Sequence, residues 1–255
     1  MANQYQSSTY YAGGVKPVYN PTHTGDHDVT IDLPIGKPSL STFAYRTLRW
    51  VFAQLCVTAA ISGWMYANHT EVVEYLNNNP GSMWAPIIMS FVSLFGLFCS
   101  RGSKTCTSIM FALFTISTSL MVGASVLQYA PDVVLKAVVA TVLVVGMASI
   151  YSWWCAKNGH DLDFLGPALC TVLVTIIIVS IMNIFIKSSM LGLCICVISV
   201  FLFTGFLIFD LERLYSGREE SDDIFAEPMI AAVGIYLDII NLFLNLLEVI
   251  DRCSR

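Results

Sequence analysis

Two carboxylates are the residues of this chain whose type and placement can do chemistry. Asp210 closes the run Gly205-Phe-Leu-Ile-Phe-Asp210, and Asp238 lies within Ile235-Tyr-Leu-Asp-Ile-Ile-Asn-Leu-Phe-Leu-Asn245. Both runs are apolar and belong to stretches long enough to cross a bilayer. An ionisable residue there costs about 2.5–3.5 kcal/mol on insertion scales, so a chain that keeps two of them is expected to use them. If the two side chains approach, they should share a proton, because like charges in a low dielectric cannot both ionise cheaply. The shared proton would hold two helices together. Its loss would leave adjacent negative charges that repel or capture a cation, and carboxylate oxygens suit Ca²⁺, a hard ion. The expected device is a proton-sensitive cation path that acid closes and deprotonation opens. Asp210 and Asp238 would be its sensor and a transient Ca²⁺ site.

The segment around Asp238 extends the pattern. From about Pro228 to Ile250 the polar residues are Asp238, Asn241, Asn245 and Glu248, spaced 3, 4 and 3. That spacing places all four on one helical face. The stripe should face the protein interior or a water-filled cavity. A purely structural hydrogen-bond network between helices is the plainer alternative. Arg101, just beyond the second apolar run, is the best-placed cation to reach Asp210. It reads equally well as an ordinary loop anchor.

The elements that must position these residues are membrane spans. The 255-residue chain is 56% hydrophobic and only 12% charged, against about 25% charged in soluble domains. Uncharged runs follow one another at Trp50–Thr70, Tyr75–Ser100, Thr105–Pro131, Ala137–Ala156, Phe164–Ile186 and Ser188–Phe209. Each has the ~20 residues that a helix needs to cross the hydrocarbon core. They lack the polar faces of soluble helices and the alternation of barrel strands. With the Pro228–Ile250 segment, the expectation is an all-α multi-pass membrane protein with seven helices. Residues 1–44, broken by Gly13, Gly14, Pro17, Pro21, Pro34 and Pro38, are expected to be a disordered tail. Residues 45–250 form the transmembrane domain, and 251–255 a short C-terminal tail. No apolar leader precedes the first span, which should act as its own anchor.

Loop charges suggest an orientation. With seven alternating spans, nine Lys and Arg residues share the side of the N terminus and four lie opposite. The excess of Lys and Arg favours a cytosolic N terminus. A last segment that dips in and returns would make the ratio eleven to two, so full crossing by that segment stays open. Asn68-His-Thr70 is a glycosylation sequon beside the first span.

Other chemistries fit less well. No basic run points to nucleic acid. The eight cysteines show no CxxC and no Cys/His metal spacing, so they read as small buried hydrophobes. His23, His27, His69 and His160 are all read as lying in tails or loops, so no span is expected to offer a histidine base or ligand. An intramembrane aspartyl protease would also use an acid on each of two helices. However, Asp238 lacks a preceding Gly-x-Gly, and Pro167-Ala-Leu169 precedes both acids. A proton-coupled transporter would need Gly/Pro-broken helices in matching halves. The chain is therefore expected not to be an enzyme and to need no cofactor, with Ca²⁺ only as the permeant ion.

Tyr236-Leu-Asp-Ile-Ile-Asn-Leu-Phe-Leu-Asn-Leu-Leu247 resembles the signature last helix of the transmembrane Bax inhibitor motif family. Phe209-Asp210 is similar to the end of that family's sixth helix. Ala112–Gly123 is similar to the third helix of its Lifeguard branch, and Phe43–Thr58, with Arg46 and Gln54, to the opening of its first. Residues 43–250 share the likeness. It implies a seven-helix bundle with a central last helix, a paired-aspartate sensor at Asp210 and Asp238, and a latch at the position of Arg101. It also implies a pH-sensitive Ca²⁺ leak of ER, Golgi or other intracellular membranes that lowers store Ca²⁺ and suppresses apoptosis. Implied partners are lipid, protons, Ca²⁺ and apoptosis-regulating membrane proteins. A non-conducting adaptor acting through such proteins is the alternative. The short tail and the loop Trp153–His160 depart from the pattern. Large DNA viruses carry divergent copies, which makes a viral source compatible with the likeness.

Overall fold

The computed structural model describes residues 40–100, 103–160, 162–217 and 226–254. Among these, regular structure is helical throughout: α1 (Leu40–Ala67), α2 (His69–Asn78), a 3-10 turn (Pro80–Met83), α3 (Trp84–Cys99), α4 (Lys104–Val126), α5 (Pro131–Lys157), α6 (Leu165–Ile186), α7 (Ser189–Ser216) and α8 (Ala226–Ser254). Seven segments of the described residues are long and apolar enough to cross a membrane.

The apolar runs set the number of spans, but packing and local turn chemistry set their ends. α1 begins at Leu40 rather than after residue 44, because Phe43 and Thr47 are already buried against the bundle. The expected tail otherwise lies outside the described residues. The first run does not continue to Thr70: α1 ends at Ala67, and Thr70 belongs to the amphipathic α2. The second run does not start at Tyr75, which also lies in α2. Asn77-Asn-Asn-Pro80 breaks the chain there, and the span begins at Gly81. Proline disfavours helix at the residue before it, and asparagine favours turns.

The largest correction concerns α7. The charged residues after Phe209 do not end it; it runs through Asp210 to Ser216 and stops at Gly217, whose φ of 76° closes the helix in the left-handed region. Asp210 is thus an interior residue of α7. α8 is one continuous helix of 29 residues, roughly 43 Å long at helical rise. It absorbs most of the expected C-terminal tail and is long and apolar enough to cross.

α8 is the central element. It packs against α7, α1, α5 and α4, while α3 leans on α4 and α6 on α7. Ala232, Tyr236, Leu242 and Leu247 of α8 are completely buried. By contrast α6 has no buried residue, and Phe185 and Phe201 are exposed on the outer surface. Such apolar residues need lipid as their solvent.

Candidate functional site

α7 and α8 run antiparallel, and two close approaches fix their register. Asp210 Oδ2 stands 2.9 Å from the point that a Cβ on Gly234 would occupy. Arg252 lies over Gly192 in the same way, 3.2 Å from where its Cβ would be. The two contacts are 18 residues apart on each helix, about 27 Å of helix. The pair therefore stays in register across nearly the whole hydrocarbon core.

This register brings together the two acids singled out from the sequence. Asp210 reaches the Gly234–Asp238 turn of α8, and its carboxylate lies within electrostatic range of Asp238. Asp238 is only 8% exposed, and its Oδ2 has no hydrogen-bond partner among the described residues. A buried polar atom left unpaired costs about 1–3 kcal/mol, and more when charged. Glu212, two residues further along α7, is 1% exposed. Sequence reasoning missed it because it ended the sixth span at Phe209. The signal was Asp210-Leu-Glu-Arg213 continuing an apolar helix with no breaker before Gly217.

The remaining stripe residues are half-buried and occupied differently. Asn241 donates to the Leu237 carbonyl at 2.9 Å and Asn245 to the Asn241 carbonyl at 2.7 Å, so both amides turn back on their own helix. Glu248 carries the far end of the stripe. It accepts from Tyr129 Oη at 2.9 Å and from Arg252 Nε at 2.7 Å, and Arg252 also donates to the Ser189 carbonyl at 3.0 Å. Burial, with the hydrogen bond to Glu248 and its charge, pushes the Tyr129 phenol well above its ordinary value of 10.0. Tyr129 therefore stays protonated and remains a donor at physiological pH. The stripe thus runs from the Asp238 level to a closed charged end, about 15 Å along α8. Arg101 lies outside the described residues.

A second polar layer on the other side of α8 was not foreseen. Tyr236 Oη meets Thr58 Oγ1 at 2.8 Å, and Thr58 meets Ser119 Oγ at 2.9 Å and the Gln54 carbonyl at 2.9 Å. Gln54 Nε2 donates to Thr115 Oγ1 at 3.1 Å. The network ties α1, α4 and α8 together with every side chain buried. Its only trace in the sequence is the run of hydroxyl residues Thr115, Ser117, Thr118 and Ser119 inside an apolar helix. Among the described residues, no cluster of three or more His, Cys, Asp or Glu could cage a metal. Two carboxylates alone suit a passing hard cation better than a resident one.

Comparison with known proteins gives a consistent result. Residues 40–254 match the family described as "Inhibitor of apoptosis-promoting Bax1". The chain is 30% identical to a BI1-like protein of Arabidopsis thaliana over 238 residues, 88% of this chain and 91% of the relative. It is 30% identical to Protein LIFEGUARD 3 of the same plant over 221 residues, 82% and 87% of the two chains. It is 26% identical to the inner membrane protein YbhL of Escherichia coli over 220 residues, 84% and 92%.

Proposed function

The chain belongs to the Bax inhibitor family of multi-pass, apoptosis-suppressing membrane proteins, and from this premise we propose that it is a proton-gated Ca²⁺ leak rather than an enzyme. The observation that carries the reading is Asp238: an acid buried at the middle of the central helix, with one oxygen unpaired and Asp210 beside it. A proton held between the two removes one charge and supplies a donor, so the protonated pair fastens α7 to α8. Without that proton, two negative charges stand together in a poor solvent for charge. Separation of the helices or capture of Ca²⁺ relieves them, and the Asn241–Asn245–Glu248 face offers polar groups along the way. Acid therefore closes the path and rising pH opens it. In an intracellular membrane with the N terminus in the cytosol, the leak would lower store Ca²⁺ and so suppress cell death.

The test is Ca²⁺ efflux from loaded liposomes carrying the purified full chain. Wild-type flux should rise with pH around neutrality, by up to about tenfold per pH unit for a single-proton switch. The double variant Asp210→Asn/Asp238→Asn should lose that dependence. Double-variant flux that matches wild type at every pH would sink the mechanism.

A further inference from the structure

A cleft between α1 and α5 is built to hold hydrocarbon, and we propose that one acyl chain of a bilayer phospholipid occupies it as a bound lipid. The cavity has a volume of about 600 Å³; its walls are α1 and α5, and its floor is α4 and α8. Its height gives the first argument. On α1 the lining runs from Leu55 to Tyr66, and on α5 from Pro131 to Val142. Each stretch covers 11 steps, about 16 Å of helix. That equals the depth of one leaflet, half of a hydrocarbon core about 30 Å thick. Tyr66 and Pro131 also stand at the last turn of α1 and the first of α5. The cleft therefore opens at the membrane boundary and ends near its midplane, as an acyl chain does.

The lining gives the second argument. Most of it is aliphatic, and the hydroxyls within it turn away: Thr58 donates to the Gln54 carbonyl at 2.9 Å and Thr141 to the Ala137 carbonyl at 2.7 Å. Nothing there would solvate an ion or a headgroup, and an apolar cavity of this kind does not fill with water.

Continuity with the lipid-facing surface gives the third. Leu135 and Val142 at the mouth are each 65% exposed, whereas Val122 and Ile240 on the floor are 3% and 6% exposed. A chain entering sideways passes from bulk lipid to a nearly enclosed floor without crossing a polar barrier. A Cβ on Gly63 would meet nothing within 4 Å, so this wall position faces open space. The floor includes Ile239 and Ile240, the two residues after Asp238, so the bound chain would rest on the central helix beside its buried acid.

The test uses the full chain in phosphatidylcholine liposomes containing a small fraction of phosphatidylcholine with a diazirine in one acyl chain. After illumination, adducts are mapped by mass spectrometry. Adducts are expected on Ile239, Ile240 or Phe243, as well as on Phe185 of α6, which is 81% exposed. Gly63→Trp and, separately, Ala59→Phe should fill the cleft. In whichever variant folds, floor labelling should fall at least fivefold while Phe185 labelling stays constant. Labelling of Phe185 with no floor adducts in wild type would overturn the proposal. So would floor labelling that both fillings leave unchanged.

Discussion

Gly234 decides how near the two acids of α7 and α8 can come. A methyl group there would stand 2.9 Å from Asp210 Oδ2, closer than carbon and oxygen pack. Gly234→Ala must therefore move the Asp210 carboxylate or one of the two helices. Overpacking of this kind costs about 1–3 kcal/mol. The variant should melt at lower temperature in detergent, and its Ca²⁺ flux should change its pH dependence, because the spacing of the pair changes. Wild-type melting together with a wild-type pH profile would show that the contact is slack. Asp210 and Asp238 were visible in the sequence because each interrupts an apolar run. Gly234 was not, since a glycine's meaning is whatever stands opposite it.

The two faces of α8 do different work. One face carries Asp238 to Glu248 and is clasped at its far end by Arg252 on Ser189. Another carries Tyr236 into the hydroxyl network of α1 and α4. Interhelical hydrogen bonds inside membranes average about 0.6 kcal/mol, so Tyr236→Phe should lower stability by roughly that amount. Thr58→Val removes the node that meets Tyr236, Ser119 and Gln54 and should cost more. Thermal unfolding of both variants in one detergent checks the order. If Thr58→Val melts no lower than Tyr236→Phe, Thr58 is not the node. The 3, 4, 3 spacing exposed the first face from the sequence alone. The network stayed hidden because Thr and Ser in a membrane helix can equally bond their own backbone, as Thr141 and Thr204 do.

At the scale of the whole molecule, crossing by all seven candidate spans of the described residues would put the two ends on opposite sides. Epitope tags at the N and C termini, probed with protease in sealed vesicles, should show opposite protection. The positive-inside count expects the N-terminal tag on the cytosolic side. Equal protection of both tags would restore a last helix that enters and returns. A modified Asn68 sequon would report the same topology from the first loop.

Lipid as the solvent, the number of spans and the two chemical acids followed from the sequence by itself. They rest on composition and run length, which a 30 Å hydrocarbon core reads almost one residue at a time. The family likeness came from the same stretch, Tyr236–Leu247. Only the tertiary structure decided where α7 ends, which turn of α8 meets Asp210, and that Glu212 is buried. It alone revealed the cleft between α1 and α5. These depend on which helix faces which, and in lipid an apolar side chain serves equally well against a neighbouring helix or a lipid tail. Hydropathy therefore does not distinguish the two, and small residues, hydroxyls and close approaches decide the packing.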